Sequence, residues 1–278
     1  MKYDEDGTAD MRNCKFAYER RNGTLHVPEW FSMMNLFTSK VNGKTLEQQM
    51  KSIFRIAYSF QFYSTYQIPV GMGLSGTPLN ESLIALNQII PQFKQKNKLQ
   101  KVHTIVLTDG DAPGLNYYNE YTWQDETRIG VKSFRNNKCF IRDRKTGNVY
   151  SPNWHLDSAA GFTDMIIRYL RNRNPEVSFI GMRILSSGES GSFMRRYMMS
   201  TETISKAVAD WKKQKSFSMK DCGYHTYFGL SSTALSNDTG FVVSDYASKT
   251  EIRNAFKKYL SAKKLNKKVL NEFVQLIA

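Results

Sequence analysis

The chain has 278 residues, 41% hydrophobic and 23% charged, which is enough apolar material to bury a substantial core in one large domain or one domain with an appendage. A formal charge of +14 draws polyanions and acidic partners, and no apolar run reaches the roughly 18 residues of a membrane span. Cys14, Cys139 and Cys222 are odd in number and far apart, and no signal-peptide pattern precedes them, so they argue against a disulfide framework and a zinc knuckle and point to a reducing cytoplasm.

The opening MKYDEDGTAD is polar and turn-like. Asp4, Asp6 and Asp10 imitate a calcium loop, but the twelfth position counted from Asp4 is Lys15, where an EF-hand needs a bidentate Glu, so the segment reads as a surface loop. Short β pieces are expected around Lys15 to Glu19 and Thr24 to Trp30, separated by the turn signal Arg21-Asn22-Gly23. From Thr45 to about Tyr63, Leu46, Met50, Ile53, Phe54, Ala57 and Tyr58 recur three and four apart, which predicts a helix with Thr45 as its N-cap. Leu79, Leu83, Leu86, Ile90 and Phe93 repeat that spacing. Val102 to Leu107 then reads as a short interior parallel strand closed by Asp109-Gly110.

The region from Pro113 to His155 lacks a clean period, apart from one hairpin expected at Cys139 to Tyr150 turning through Thr146-Gly147-Asn148, and reads as an insertion. Helical spacing returns at Phe162, Met165, Ile166, Tyr169 and Leu170, and Asn174-Pro175 stops it. Val177 to Leu185 predicts a second interior strand, and Ser192 to Lys213 a long helix. Strands are expected at Tyr224 to Leu230 and Gly240 to Ser244, and helices around Lys249 to Leu260 and Leu265 to Ile277. Helix alternating with buried strand is the grammar of an α/β sheet.

In such sheets the chemistry gathers at the carboxyl ends of strands. Asp109 stands at one: a carboxylate held by a rigid strand yet open to solvent, which suits a hard cation, or equally an ordinary Asp-Gly turn. Thr77, in a Gly-Thr-Pro turn just before the helix that feeds that strand, is either an N-cap or a second oxygen donor for the same cation; Pro78 suits the first helical position and Glu81 the helix dipole. Asp111 reads as a loop carboxylate that can assist at the metal, with Asp157 and Glu189 as weaker candidates. His103 reads as a satisfied structural histidine. Nucleophile elbows, H-E-x-x-H pairs, P-loops and dinucleotide fingerprints are absent from the sequence.

The runs LSGTPLNESL and VHTIVLTDGDA together resemble the second and third parts of the metal-ion-dependent adhesion site of von Willebrand factor A domains, and in particular the intracellular type found in the T subunit of aerobic cobaltochelatase and in proteins of T4-like phages. The tail AFKKYLSAKKLNKKVLNEF is similar to that of the phage proteins. The resemblance implies an α/β fold with a Rossmann-like von Willebrand A sheet flanked by helices. It transfers two metal positions, Thr77 and Asp109, with Mg²⁺ as the ion. No Asp-x-Ser-x-Ser loop precedes Thr77: the segments Phe37-Thr38-Ser39 and Ser59 to Ser64 lack the leading Asp. The expected fold is therefore N-terminally incomplete, starting just after the second strand, with a domain over 1–246, an insertion over 115–156 and a basic helical extension over 247–278.

The function this implies is metal-dependent docking and assembly with an AAA+ ATPase of the MoxR or cobaltochelatase S type, in the cytoplasm, or in the host cytoplasm for a phage-encoded chain. The chain would be a non-catalytic subunit of a cobaltochelatase-like complex rather than an enzyme alone. The alternative is a basic nucleic-acid-associated protein. From Lys249 to Lys268 eight Lys or Arg face one Glu251, and Lys257, Lys258, Lys263, Lys264, Lys267 and Lys268 would lie on phosphates.

Overall fold

The computed structural model describes residues 20–28, 31, 33–60, 76–134, 139–153, 156, 158–198, 200–220, 222–232, 247–248, 250–251, 253–254, 271 and 273–275. In chain order the named elements are α1 (Gly43–Ser59), α2 (Leu79–Asn97), β1 (Val102–Thr108), β2 (Asn116–Trp123), β3 (Glu126–Ser133), β4 (Ile141–Arg142), β5 (Val149–Tyr150), α3 (Ser158–Arg173), β6 (Val177–Leu185), α4 (Ser190–Tyr197), α5 (Thr201–Gln214), β7 (Ser216–Met219) and β8 (Thr226–Ser231). The result is a mixed α/β architecture, compatible with a Rossmann-like fold.

Among the described residues the central sheet has four strands in the order β1-β6-β8-β7. β1, β6 and β8 are parallel, and β7 closes the far edge antiparallel to β8. Parallel strands need long crossovers, and α3 supplies one as it returns the chain from the carboxyl end of β1 to the start of β6. Register places Val177, Phe179 and Leu185 on the same face as Tyr227, Phe217 and Met219. That face carries the main core, into which α2 sends Leu83 and Ile90, α3 sends Met165, Ile166, Ile167 and Leu170, and α4 and α5 send Phe193, Met194 and Trp211. Aromatic rings fill the wide end of this layer, with Phe193 edge-to-face on Tyr227 at 5.3 Å and Trp211 on Phe217 at 5.9 Å.

Several local departures from the expected elements have simple causes. The first helix is capped by Asn42, whose side chain accepts from the Thr45 amide, so Thr45 is a first-turn donor rather than the cap. The long helix expected at Ser192 to Lys213 is two, because Met198 adopts an extended conformation with φ −115° and ψ 129° and ends α4. Of the β piece expected at Thr24 to Trp30, the described residues 24–28 hold an isolated bridge between Leu25 and Tyr117, and 29–30 lie outside the described residues. The 116–150 region holds the expected short pair β4-β5 and also an unexpected hairpin, β2-β3, whose Tyr, Thr and Asn residues alternate without an apolar face because both its faces are largely solvated. The pieces expected at 15–19 and 240–244, and most of the two C-terminal helices, lie outside the described residues.

β1 is not an interior strand among the described residues: it pairs with β6 alone. Ile105 and Leu107 on its second face are 48% and 63% exposed, whereas Ile180 and Phe228 on the same face of the neighbouring strands are fully buried. α1 also buries none of its residues, and Phe54 on its apolar stripe is 70% exposed.

One buried polar residue ties the layers together at the carboxyl end of β1. Asn80, in the first turn of α2 and fully buried, donates to the Pro113 carbonyl (3.2 Å) and accepts from the Thr163 hydroxyl of α3 (2.8 Å). Removing it would cost the Pro113 carbonyl a donor, leave the Thr163 hydroxyl only its bond to the Ala159 carbonyl (3.2 Å), and open a gap where a fully buried amide sat. Asn80→Ala is therefore expected to cost about 2 kcal/mol of stability in urea denaturation, with little change in the dependence on denaturant. A loss within a few tenths of a kcal/mol would show that the Asn80 bonds are replaced by water.

Candidate functional site

Two turns meet above the carboxyl end of β1. In the first, Gly76 takes a left-handed φ of +66°, which a side chain would strain, and the chain then passes through Thr77 and Pro78 into α2. The Leu79 amide donates to the Thr77 carbonyl at 2.7 Å. In the second, the Thr108 hydroxyl donates to the Gly110 carbonyl (2.8 Å) and accepts from the Gly110 amide (3.1 Å), which sets Asp109 at the tip of a tight turn. Gly110 packs directly on Thr77: a Cβ at Gly110 would overlap Thr77 Oγ1 and lie 3.2 Å from Thr77 Cβ. The Thr77 hydroxyl and the turn that bears Asp109 are thus in contact, although the two residues are 32 positions apart (109 − 77).

Neither side-chain oxygen is committed elsewhere among the described residues. The N-cap reading of Thr77 is not what the structure holds: α2 begins at Leu79, its cap is Pro78 rather than Thr77, and no side chain caps its amides. Asp109 is exposed, and its carboxylate makes no hydrogen bond or ion pair with a described residue. From Thr77 a groove of about 310 Å³ runs along the edge of β1 that no described strand pairs, lined by Leu83, Leu86 and residues 104–108.

Asp111 has a different task. One of its oxygens accepts from Arg183 Nη1 at 3.1 Å, and the other pairs with Arg196. Arg183 is a β6 residue only 5% exposed, with its guanidinium 5.8 Å from the centre of the Phe193 ring. A buried guanidinium needs its counter-charge, so Asp111 is a structural anion that holds the loop to β6 and α4, not a loop carboxylate waiting for a metal. Next to it, burial pushes the phenols of Tyr197, Tyr224 and Tyr227 above their ordinary range, so these hydroxyls stay neutral beside the Arg183–Asp111 pair.

The remaining candidates separate cleanly. Glu189 accepts from the Ser186 amide (2.9 Å) and hydroxyl (2.7 Å), which hold its carboxyl below the usual value and use it to close the turn before α4. His103 is not satisfied, because its buried Nδ1 has no hydrogen-bond partner. Asp157 and the lysines at 257, 258, 263, 264, 267 and 268 lie outside the described residues. Among the described residues no group of three or more His, Cys, Asp or Glu converges. Sequence reading missed Asn80 and the Asp111 pairing, because a short polar residue inside a helix or a loop carries no signal of its three-dimensional partner.

One neutral hydroxyl and one free carboxylate, both oxygen donors on rigid turns, suit Mg²⁺, which is held by few protein oxygens and keeps several waters. Among the described residues no histidine or second carboxylate is bonded to Thr77. Compared with protein-family models, curated proteins and solved structures, the chain matches none.

Glu81, in the first turn of α2, adds a pH dependence. Burial raises its carboxyl above the ordinary value, and its Oε2 is buried without a partner among the described residues. A raised folded-state value means that its contribution is fully present below the unfolded pKa and is lost as pH rises through the folded one. Glu81→Gln should therefore melt at a higher temperature than the parent at pH 7, and the gap should close near pH 4. A gap that widens towards acid would mean that Glu81 is stabilised as an anion by the helix N-terminus.

Proposed function

We propose that the chain is a metal-dependent docking subunit built on a von Willebrand A-like domain. Thr77 and Asp109 present Mg²⁺ to an acidic residue of a partner protein. The observation that carries this reading is the contact between Thr77 and Gly110, which leaves a free hydroxyl and the free Asp109 carboxylate on two touching turns at the end of a parallel strand. A bound Mg²⁺ supplies open coordination positions that a carboxylate can fill. The chain's own part is to hold the two oxygens rigidly: Asn80 ties the first turn of α2 to the loop after Asp109, and the Thr108 hydroxyl fixes the Asp109 turn.

The resemblance of LSGTPLNESL and VHTIVLTDGDA to cobaltochelatase T subunits supports a partner of the AAA+ class, of MoxR or cobaltochelatase S type. The ATPase would supply the energy and this chain would relay it. With a net charge of +14, encounter with an acidic partner face is fast and falls with salt.

Capture of such an ATPase on the immobilised chain should be strong in Mg²⁺ and fall at least roughly tenfold in EDTA, a difference of about 1.4 kcal/mol or more. Thr77→Ala and Asp109→Ala should each reproduce the EDTA result without shifting the melting temperature, since neither side chain bonds the described fold. Binding that ignores EDTA and both substitutions, or no binding in either buffer, would overturn the docking reading.

A further inference from the structure

A cavity of about 1000 Å³ lies between α2, α3 and the 116–150 segment, and none of its lining residues belongs to the Thr77–Asp109 site. Its floor is apolar, formed by Leu25, Ile84, Ile166 and Leu170, and its walls are aromatic, with Tyr117, Phe134, Phe140 and Tyr169. The rings are fixed by their neighbours. Tyr117 meets Phe134 edge-to-face at 5.4 Å, and Phe134 meets Phe162 at 5.7 Å. The Tyr169 hydroxyl donates to Asn87 Oδ1 (3.2 Å) and accepts from Arg173 Nη1 (3.0 Å), while its ring meets Tyr150 edge-to-face at 5.6 Å.

The rim is cationic. Arg142, Arg144 and Lys145 stand exposed on β4 and the turn that joins it to β5, and none of them forms an ion pair with a described carboxylate. Asp143, the only carboxylate among the described residues that line the cavity, is buried and already engaged: it accepts from the Lys145 amide at 2.8 Å and pairs with Arg173 at 3.4 Å. Its main chain closes the turn, with the Asp143 amide donating to the Asn148 carbonyl and the Gly147 amide donating to the Asp143 carbonyl, both at 2.8 Å. Buried Asp143 therefore does not cancel the rim charge; it holds Arg144 and Lys145 in place on a rigid turn.

Fixed aromatic walls, an apolar floor and three uncompensated cations at one edge call for a ligand with a planar apolar part and an anionic part. An apolar ligand would leave the cations unused, and a sugar would find few hydroxyl acceptors, whereas arginine and lysine suit phosphate oxygens and aromatic faces suit a base. The volume is at the upper end for small-molecule sites and leaves room for a base, a ribose and phosphates. We infer that this cavity binds a free nucleoside phosphate, with the base against Tyr117, Phe134 and Tyr169 and the phosphates against Arg142, Arg144 and Lys145. The inference is independent of metal docking at Thr77 and Asp109.

The test is calorimetric titration of the 278-residue chain, in EDTA, with ADP, adenosine, pyrophosphate and a short oligothymidylate. ADP should bind, and adenosine and pyrophosphate should each bind at least roughly tenfold more weakly, because each supplies half of the recognition. The exposed-site variants Arg144→Glu with Lys145→Glu, and Phe140→Ala, should weaken ADP by a similar factor with an unchanged melting temperature. Because Cys139 lines the cavity, ADP should also slow its alkylation, read by peptide mass mapping. Absence of both ADP heat and Cys139 protection would overturn the inference. So would pyrophosphate binding as tightly as ADP, which marks simple anion attraction, or oligothymidylate binding more tightly than ADP, which marks a nucleic-acid surface.

Discussion

The two hydrogen bonds of the buried Asn80 side chain are the constraint on which the geometry at the end of β1 depends. A fully buried amide is tolerated only when its donor and acceptor are both used, and here they join the start of α2 to the loop beyond Asp109 and to α3. Because both loops answer to one side chain, the Thr77 turn and the Asp109 turn cannot drift apart independently. The Gly110 contact with Thr77 is the consequence at the surface, and it brings together two oxygen donors from separate parts of the chain.

Charge is divided sharply between two carboxylates only two residues apart. Asp111 is spent on Arg183 and Arg196, so it neutralises a buried guanidinium and anchors the loop. Asp109 faces solvent and pairs with no cation among the described residues, in a protein that carries a large positive excess. A loop that pairs one acid and leaves its neighbour free is suited to presenting a single anionic ligand at a fixed position. On the far side of α2 and α3, Asp143 repeats the device with the opposite result, since engaging that carboxylate leaves cations in command of the cavity rim.

Periodicity made the principal elements legible. Leu79 to Phe93 and Val177 to Leu185 carry apolar residues at helical spacing and in an unbroken strand run, and both form what that pattern predicts. The order of helix and strand likewise exposed the α/β class. The β2-β3 hairpin was not legible, because a largely solvated ribbon has no apolar face to alternate. The break after α4 escaped for another reason: apolar residues continue across it, and its mark is the N-cap Ser200, extended like Met198, with Glu202 in the first turn of α5, a signal that the apolar run overrode. At the site, Thr77 and Asp109 were named from a local motif, whereas their contact and the Asn80 clamp are tertiary facts that span α2, β1 and α3. The interior position expected for β1 rested on its β-branched sequence, and exposed Ile105 and Leu107 show that apolar content does not by itself state which neighbours a strand has.

On the docking proposal, Thr77 and Asp109 act together as one half of a divalent-cation site. Paramagnetic broadening of backbone amide resonances by substoichiometric Mn²⁺ tests it most directly, because the effect falls steeply with distance from the ion and reports position without a partner protein. The amides of Thr77, Asp109 and Gly110 should broaden first and recover when excess Mg²⁺ is added, while those around Asp143 and Glu189 stay sharp. Broadening that begins at other carboxylates, or spreads evenly over the acidic surface, would contradict it.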